Sequence, residues 1–176
     1  KLVEIAGVTL VEPDAIVYAS EDITTSTDAN FEQISPMMNT SNSFLGIERL
    51  WDEGIEGQGI KVAVLDTGID ANHPEFQGIY KGGKNFVPHT GSDYARPRAD
   101  DDASETSPLD RPSNRPEFNA NGNSFYTSHG THVAGTIAAI GANEYGIKGI
   151  APKVDLYMYR VLGAYGSGST SGIIKA

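Results

Sequence analysis

The sequence predicts an α/β domain built on a mainly parallel sheet, and three stretches carry that expectation. Ile60–Leu65 is mostly apolar and β-branched, with Gly59 in front and Asp66-Thr67-Gly68 behind. A short apolar run bounded by turn residues fits a strand buried on both faces, the usual condition in a parallel sheet. Val154–Leu162 is a second strand candidate, alternating at first and then largely apolar. Val133, Ala134, Ile137 and Ala138 fall near helical spacing, with Ser128 as the expected N-cap.

At 176 residues the chain is long enough for one domain with a real core. Its formal charge is −10, which argues against nucleic acid or an anionic membrane as partner. No apolar run approaches membrane-spanning length. No long apolar stretch with a cleavage site follows Lys1, so the chain is expected to start downstream of any secretory signal. Cysteine is absent, which removes disulfides, thiolate catalysis and cysteine-based zinc sites together. There is no internal repeat.

Residues 1–20 hold short apolar pieces around Pro13-Asp14 and predict one or two strands, read on the residues alone as an edge of the main domain. Residues 21–43, rich in Ser, Thr, Asn and Asp, form a linker or extended arm. Phe44–Gly54 reads as a short helix, with Leu45, Ile47, Leu50 and Trp51 on one side and Gly54 as its stop. Asp70 and His73 are surface-turn residues.

Residues 80–128 make a long acidic loop insertion, with Asn85-Phe86-Val87 as a brief strand inside it. A loop of that length in a compact domain is functional or mobile. Asp100-Asp101-Asp102 offers the hard oxygen ligands that calcium takes, but the spacing and glycine of an EF-hand are missing, so the stretch reads as a solvated acidic loop. Gly166-Ser167-Gly168 is by itself a flexible turn, after which Ser169 or Thr170 caps a last helix.

Two residues stand out chemically. Asp66 sits at the carboxyl end of a strand, where ligands and catalytic groups gather in open α/β sheets. His129 sits at a helix N-terminus; alone it would be a capping or packing residue. A buried carboxylate facing an imidazole orients the ring and stabilises its protonated form, as in a Ser-His-Asp triad.

Several blocks in order carry a resemblance: Asp66-Thr67-Gly68-Ile69-Asp70, His73-Pro74, His129-Gly130-Thr131-His132-Val133-Ala134-Gly135, Gly149-Ile150-Ala151-Pro152 and Arg160–Gly168. Together they resemble the subtilisin-like serine proteases, the subtilases, over roughly residues 45–176. The resemblance implies a three-layer subtilisin-like fold with a mainly parallel sheet, incomplete in this chain, with residues 44–176 as the N-terminal half of a catalytic domain. It implies a secreted serine endopeptidase acting on protein or peptide substrates, with Asp66 as the orienting carboxylate and His129 as the general base; His132 is a helix residue outside the triad. Gly166, Ser167 and Gly168 would pair with the substrate backbone, and Leu162 and Tyr165 would help to line subsites. Residues 1–20 look like the end of an inhibitory prodomain, cut near or within residues 21–43.

The resemblance implies no cofactor for catalysis. Structural calcium is open at the loop Gly141–Gly149 beside Glu75, although the loop lacks the Asn-rich pattern of calcium-binding relatives. The family's nucleophilic serine, in a Gly-Thr-Ser-Met-Ala type block, has no counterpart here; Ser128, Ser167 and Ser171 stand in the wrong context. The chain is thus expected to be inactive alone and to need the remainder of its catalytic domain. The alternative is a catalytically silent binding or regulatory module that keeps the fold. A nucleotide-binding domain ranks last, since the G-x-G-x-x-G and G-x-x-x-x-G-K-[ST] fingerprints are missing.

Overall fold

A computed structural model describes residues 7–19, 37–88, 98–141 and 147–176. Much of the arm at 21–43, and the centre of the loop Gly141–Gly149, lie outside the described residues. In chain order the elements are β1 (Ile16–Tyr18), α1 (Met37–Leu45), α2 (Ile47–Asp52), β2 (Lys61–Asp66), β3 (Tyr80–Asn85), α3 (His129–Ala138), β4 (Asp155–Arg160), β5 (Ser167–Ser169) and α4 (Thr170–Lys175). Among the described residues, no helix is long and apolar enough to cross a membrane.

The main sheet has the order β2-β4-β3 and both pairings are parallel; the two apolar runs predict the pairing of β2 with β4. Leu156 and Met158 of β4 are fully buried against Val64 of β2 and against Ala134 and Ala138 of α3, with Ile69, Phe76 and Ile79 closing the cluster. The small residues of α3 allow that close contact. β4 stops at Arg160, two residues earlier than expected. Val161 and Leu162 leave the ladder because both of their amides donate to the carbonyl of Asp66, at 2.9 and 3.1 Å.

β3 departs from the expected strand at 85–87. Its sequence, Tyr-Lys-Gly-Gly-Lys-Asn, looks like a turn, yet it pairs with β4 through a bulge between Tyr80 and Gly82. A Cβ at Gly83 would lie 2.2 Å from the carbonyl oxygen of Met158. Glycine therefore marks a close backbone approach inside a strand, a known use of the residue.

β2 also differs from the fully buried strand the sequence suggests. Val64 and Asp66 are buried, but Leu65 is 40 % exposed. Among the described residues β2 is an edge of the sheet, with one face uncovered. The helix expected at 44–54 is two helices, broken at Gly46 with φ 72°, and α1 begins inside the expected linker. Gly54, with φ 78°, follows the second helix as expected.

The long loop holds little regular structure but is anchored by charge. Arg98 is buried and reaches Asp110 at 3.1 Å, and the two side chains are each 1 % exposed. Arg98 also donates to the carbonyls of Ser104 and Glu105 at 2.7 and 2.9 Å. Asp100 and Asp101 are exposed, as a solvated acidic loop requires, while the buried Arg98–Asp110 ion pair anchors the stretch around them.

Candidate active site

β2 and α3 bring Asp66 and His129 together. His129 Nδ1 lies 2.8 and 2.9 Å from the two carboxylate oxygens of Asp66. The side chains are 21 % exposed at the histidine and 10 % at the aspartate, so the pair is shielded while the ring stays reachable. Asp66 Oδ1 also accepts the amide of Thr67 at 2.6 Å. Among the described residues, none is hydrogen-bonded to His129 Nε2.

The helix start is fixed from outside the helix. Ser128, the expected cap, makes no side-chain capping bond. Instead the Gly130 amide donates to Thr67 Oγ1 at 2.9 Å, and the Thr131 amide donates to Glu105 Oε1 at 2.9 Å. Glu105 Oε2 accepts the Thr127 hydroxyl at 2.6 Å, and Thr131 Oγ1 accepts the Asp70 amide at 2.9 Å. A carboxylate satisfying the free amides of a first turn stabilises the helix end electrostatically as well. Sequence reading missed Glu105: it lies 26 positions from Thr131, too far for any capping pattern. Gly130 lets the helix approach the strand, since a Cβ there would meet the carbonyl oxygen of Gly68 at 2.2 Å.

Behind the pair lies Arg160, in register with Asp66 and 1 % exposed. It donates to Asn85 Oδ1 at 2.9 Å and to Thr106 Oγ1 at 2.8 Å. Burial, and next the charge of Arg98, push its pKa down to about 10, so it remains a cation at neutral pH. Asp70 and His73 serve turns: Asp70 Oδ1 accepts the Asn72 amide, and His73 Nδ1 accepts the Glu75 amide.

The segment Gly166-Ser167-Gly168 lies on the same side of the sheet's carboxyl end, tied to Asp66 through Val161 and Leu162 and through a bridge between Leu162 and Gly168. Its partner is β1, which pairs with it antiparallel: Ile16 with Ser169, Val17 with Gly168, Tyr18 with Ser167. The Ala19 amide donates to the Gly166 carbonyl, and the Thr170 amide to the Ala15 carbonyl, both at 2.9 Å. Among the described residues of 1–20 one strand is formed, where one or two were expected. The requirement for glycine at 168 comes from within the fold, because a Cβ there would strike the Val161 carbonyl oxygen at 2.2 Å. Leu162 and Tyr165 are both buried, and Tyr165 sends its hydroxyl to the Pro116 carbonyl.

The subtilase family (Peptidase S8) matches residues 57–176 of this sequence. The chain belongs to that family. Minor extracellular protease Vpr of Bacillus subtilis (strain 168) is 39 % identical over 179 aligned positions, covering 99 % of this chain and 19 % of the relative. The major intracellular serine protease of the same organism is 40 % identical over 127 positions, covering 72 % of this chain and 31 % of the relative. Subtilisin E, also from that strain, is 40 % identical over 126 positions, covering 72 % and 25 %. The chain therefore spans about a fifth to a third of the length of these relatives. The α/β architecture with a parallel sheet is that of an incomplete subtilisin-like fold.

For the structural calcium implied by the resemblance, the described residues offer two hard oxygen donors flanking the loop 141–149. Glu75 is buried and accepts the Gly141 amide through Oε2 at 2.6 Å. Asn42 is buried, donates to the Lys148 carbonyl at 2.9 Å, and leaves its Oδ1 without a partner among the described residues. A carboxylate and an orphaned amide oxygen suit calcium chemically. No cluster of three acidic or histidine side chains able to hold a metal occurs among the described residues.

Proposed function

We propose that the whole protein is a secreted serine endopeptidase in which Asp66 and His129 are two members of an Asp-His-Ser triad. The observation that supports this best is the 2.8 Å contact from His129 Nδ1 to Asp66 at the carboxyl end of a parallel strand. Asp66 holds the tautomer with the proton on Nδ1, leaving Nε2 to accept a proton. A serine outside residues 1–176 supplies the nucleophile. Nε2 takes its hydroxyl proton as the oxygen attacks the scissile carbonyl, then returns that proton to the leaving amine. Water then hydrolyses the acyl-enzyme, with His129 again as the base. No cofactor enters these steps; a structural calcium beside the loop 141–149 would take no part in them.

Substrate docks in this reading as an antiparallel strand on Gly166-Ser167-Gly168, by the β-strand addition common in peptide recognition. The pairing of β1 with β5 supports it, and supports residues 1–20 as a prodomain end that occupies the substrate position until it is cut away. The extracellular location named for the Vpr protease, which aligns with 99 % of this chain, favours secretion.

The test is peptide hydrolysis by the full-length protein and by its His129→Ala variant. The expected loss in kcat is several orders of magnitude, since triad members act as a unit. Near-normal hydrolysis by a folded variant overturns the mechanism; a full-length protein that hydrolyses nothing favours the silent binding module. The isolated 176-residue chain is expected to show no turnover, for want of a nucleophile.

A further inference from the structure

We propose that Tyr165 is a positioning residue for substrate binding, held by residues 116–125 of the long loop so that the β5 edge stays in shape to pair with an extended peptide. This rests on the protease reading for its role, though not for its geometry. Among the described residues Tyr165 is the single non-glycine residue with a positive φ, at 59°. That conformation crowds the Cβ of an L-residue against its own backbone. It persists only where the surroundings over-determine it, and such residues cluster at functional sites.

The surroundings here come from one segment. The Tyr165 hydroxyl donates to the Pro116 carbonyl at 2.6 Å. Its ring meets Phe125 edge-on at 5.3 Å, and Phe125 is fully buried. The Tyr165 amide donates to the Phe125 carbonyl at 3.4 Å, and Asn123 Nδ2 donates to the Tyr165 carbonyl at 3.4 Å. The segment is itself braced: the Phe125 amide donates to the Glu117 carbonyl at 2.7 Å, and Asn119 Oδ1 accepts the amides of Asn121 and Asn123.

The residue next to Tyr165 carries the acceptor that matters, since the Gly166 carbonyl receives the Ala19 amide of the docked strand. Turning Tyr165 out of its left-handed conformation would swing that carbonyl away. The loop segment 116–125 therefore acts as a clasp on the edge where peptide binds. It touches neither Asp66 nor His129 through any hydrogen bond among the described residues, so its effect should fall on binding and spare the chemistry.

The test uses Tyr165→Phe, which keeps the ring, and Phe125→Ala, which removes the ring contact. In the full-length enzyme, Phe125→Ala is expected to raise KM for an extended peptide about tenfold with kcat unchanged, the pattern of lost uniform binding. Hydrolysis of a single-residue ester, too short to reach Gly166, should keep its KM. Tyr165→Phe should give a smaller shift of the same kind. In the full-length protein carrying His129→Ala, so that residues 1–20 stay attached, hydrogen exchange at the Ala19 and Thr170 amides should speed up in both variants while β4 amides stay protected. Unchanged exchange and unchanged KM overturn the proposal, as does an equal loss of kcat on both substrates. A wild-type enzyme without activity, together with faster exchange in the variants, defeats the protease reading and leaves the clasp standing.

Discussion

At the Asp66–His129 corner the long loop contributes charge and hydrogen-bond acceptors; at the β5 edge it contributes shape. Glu105 closes the first turn of α3, and Arg98, paired with Asp110, holds the backbone on either side of Glu105. Further along, at residues 116–125, the same loop offers a phenylalanine, a backbone carbonyl and an asparagine amide to Tyr165. The corner depends on a few atoms whose removal leaves buried polar groups unpaired, which is costly. The edge depends on backbone bonds shared over several residues, so single changes there should act by degrees. One insertion thus supports two parts of a site by different physics, and the two should separate under mutation.

The largest separation is expected from Asp66→Asn in the full-length enzyme. The amide keeps the shape but favours the wrong imidazole tautomer, and kcat should fall about 10⁴-fold. Its KM for an extended peptide should barely move, because β5 is untouched. A rise in KM with kcat intact would mean that Asp66 serves the edge and not the histidine.

Next in size is Arg98→Ala. It breaks the buried Arg98–Asp110 ion pair, a change that typically costs about 3–5 kcal/mol. Denaturant unfolding should show the loss as a lowered midpoint. Exchange at Ala19 should follow the global stability only, with no extra loosening of β1. Selective loosening of β1 would show that the ionic part of the loop and its aromatic clasp are one unit.

The Asp66–His129 contact of the candidate site was legible in the sequence because its parts are local. An apolar run ending in Asp66 and a histidine heading a small-residue helix are patterns readable within ten residues, and the parallel pairing of β2 with β4 then joins their ends. The misses are contacts between distant segments. Glu105 caps a helix 26 positions away, and Arg98 hides in a stretch whose composition reads as solvated. β3 escaped because local preference marks Gly82-Gly83 as a turn, whereas the Met158 carbonyl demands a residue without a side chain. Tyr165 looked like a subsite wall because nothing near it in sequence shows that Phe125 and Pro116 occupy its ring and hydroxyl.

The smallest effect is expected at the far end of the β1–β5 pairing, where charge meets the edge. Asp14 accepts the amide and the hydroxyl of Ser171, at 2.8 and 2.7 Å. The Ser171 hydroxyl, then its amide, hold the Asp14 carboxyl below its ordinary value while β1 is docked. A carboxyl lowered in the docked state adds to docking at pH values above its free pKa of about 3.9. That contribution is lost as pH falls through the lower, docked value. Between neutral pH and about pH 5 the effect should be flat, and on further acidification the β1 strand should loosen. Because Asp14 is exposed, solvent screens the interaction and the change should be slight. Hydrogen exchange at the Thr170 amide, corrected for intrinsic rate and compared with Asp14→Asn, isolates this group from other carboxyls. The protection ratio of wild type to variant should be largest at neutral pH and shrink towards one in acid. A ratio that stays constant across that range would assign the docking to the backbone ladder alone and make the whole edge, unlike the corner, indifferent to charge.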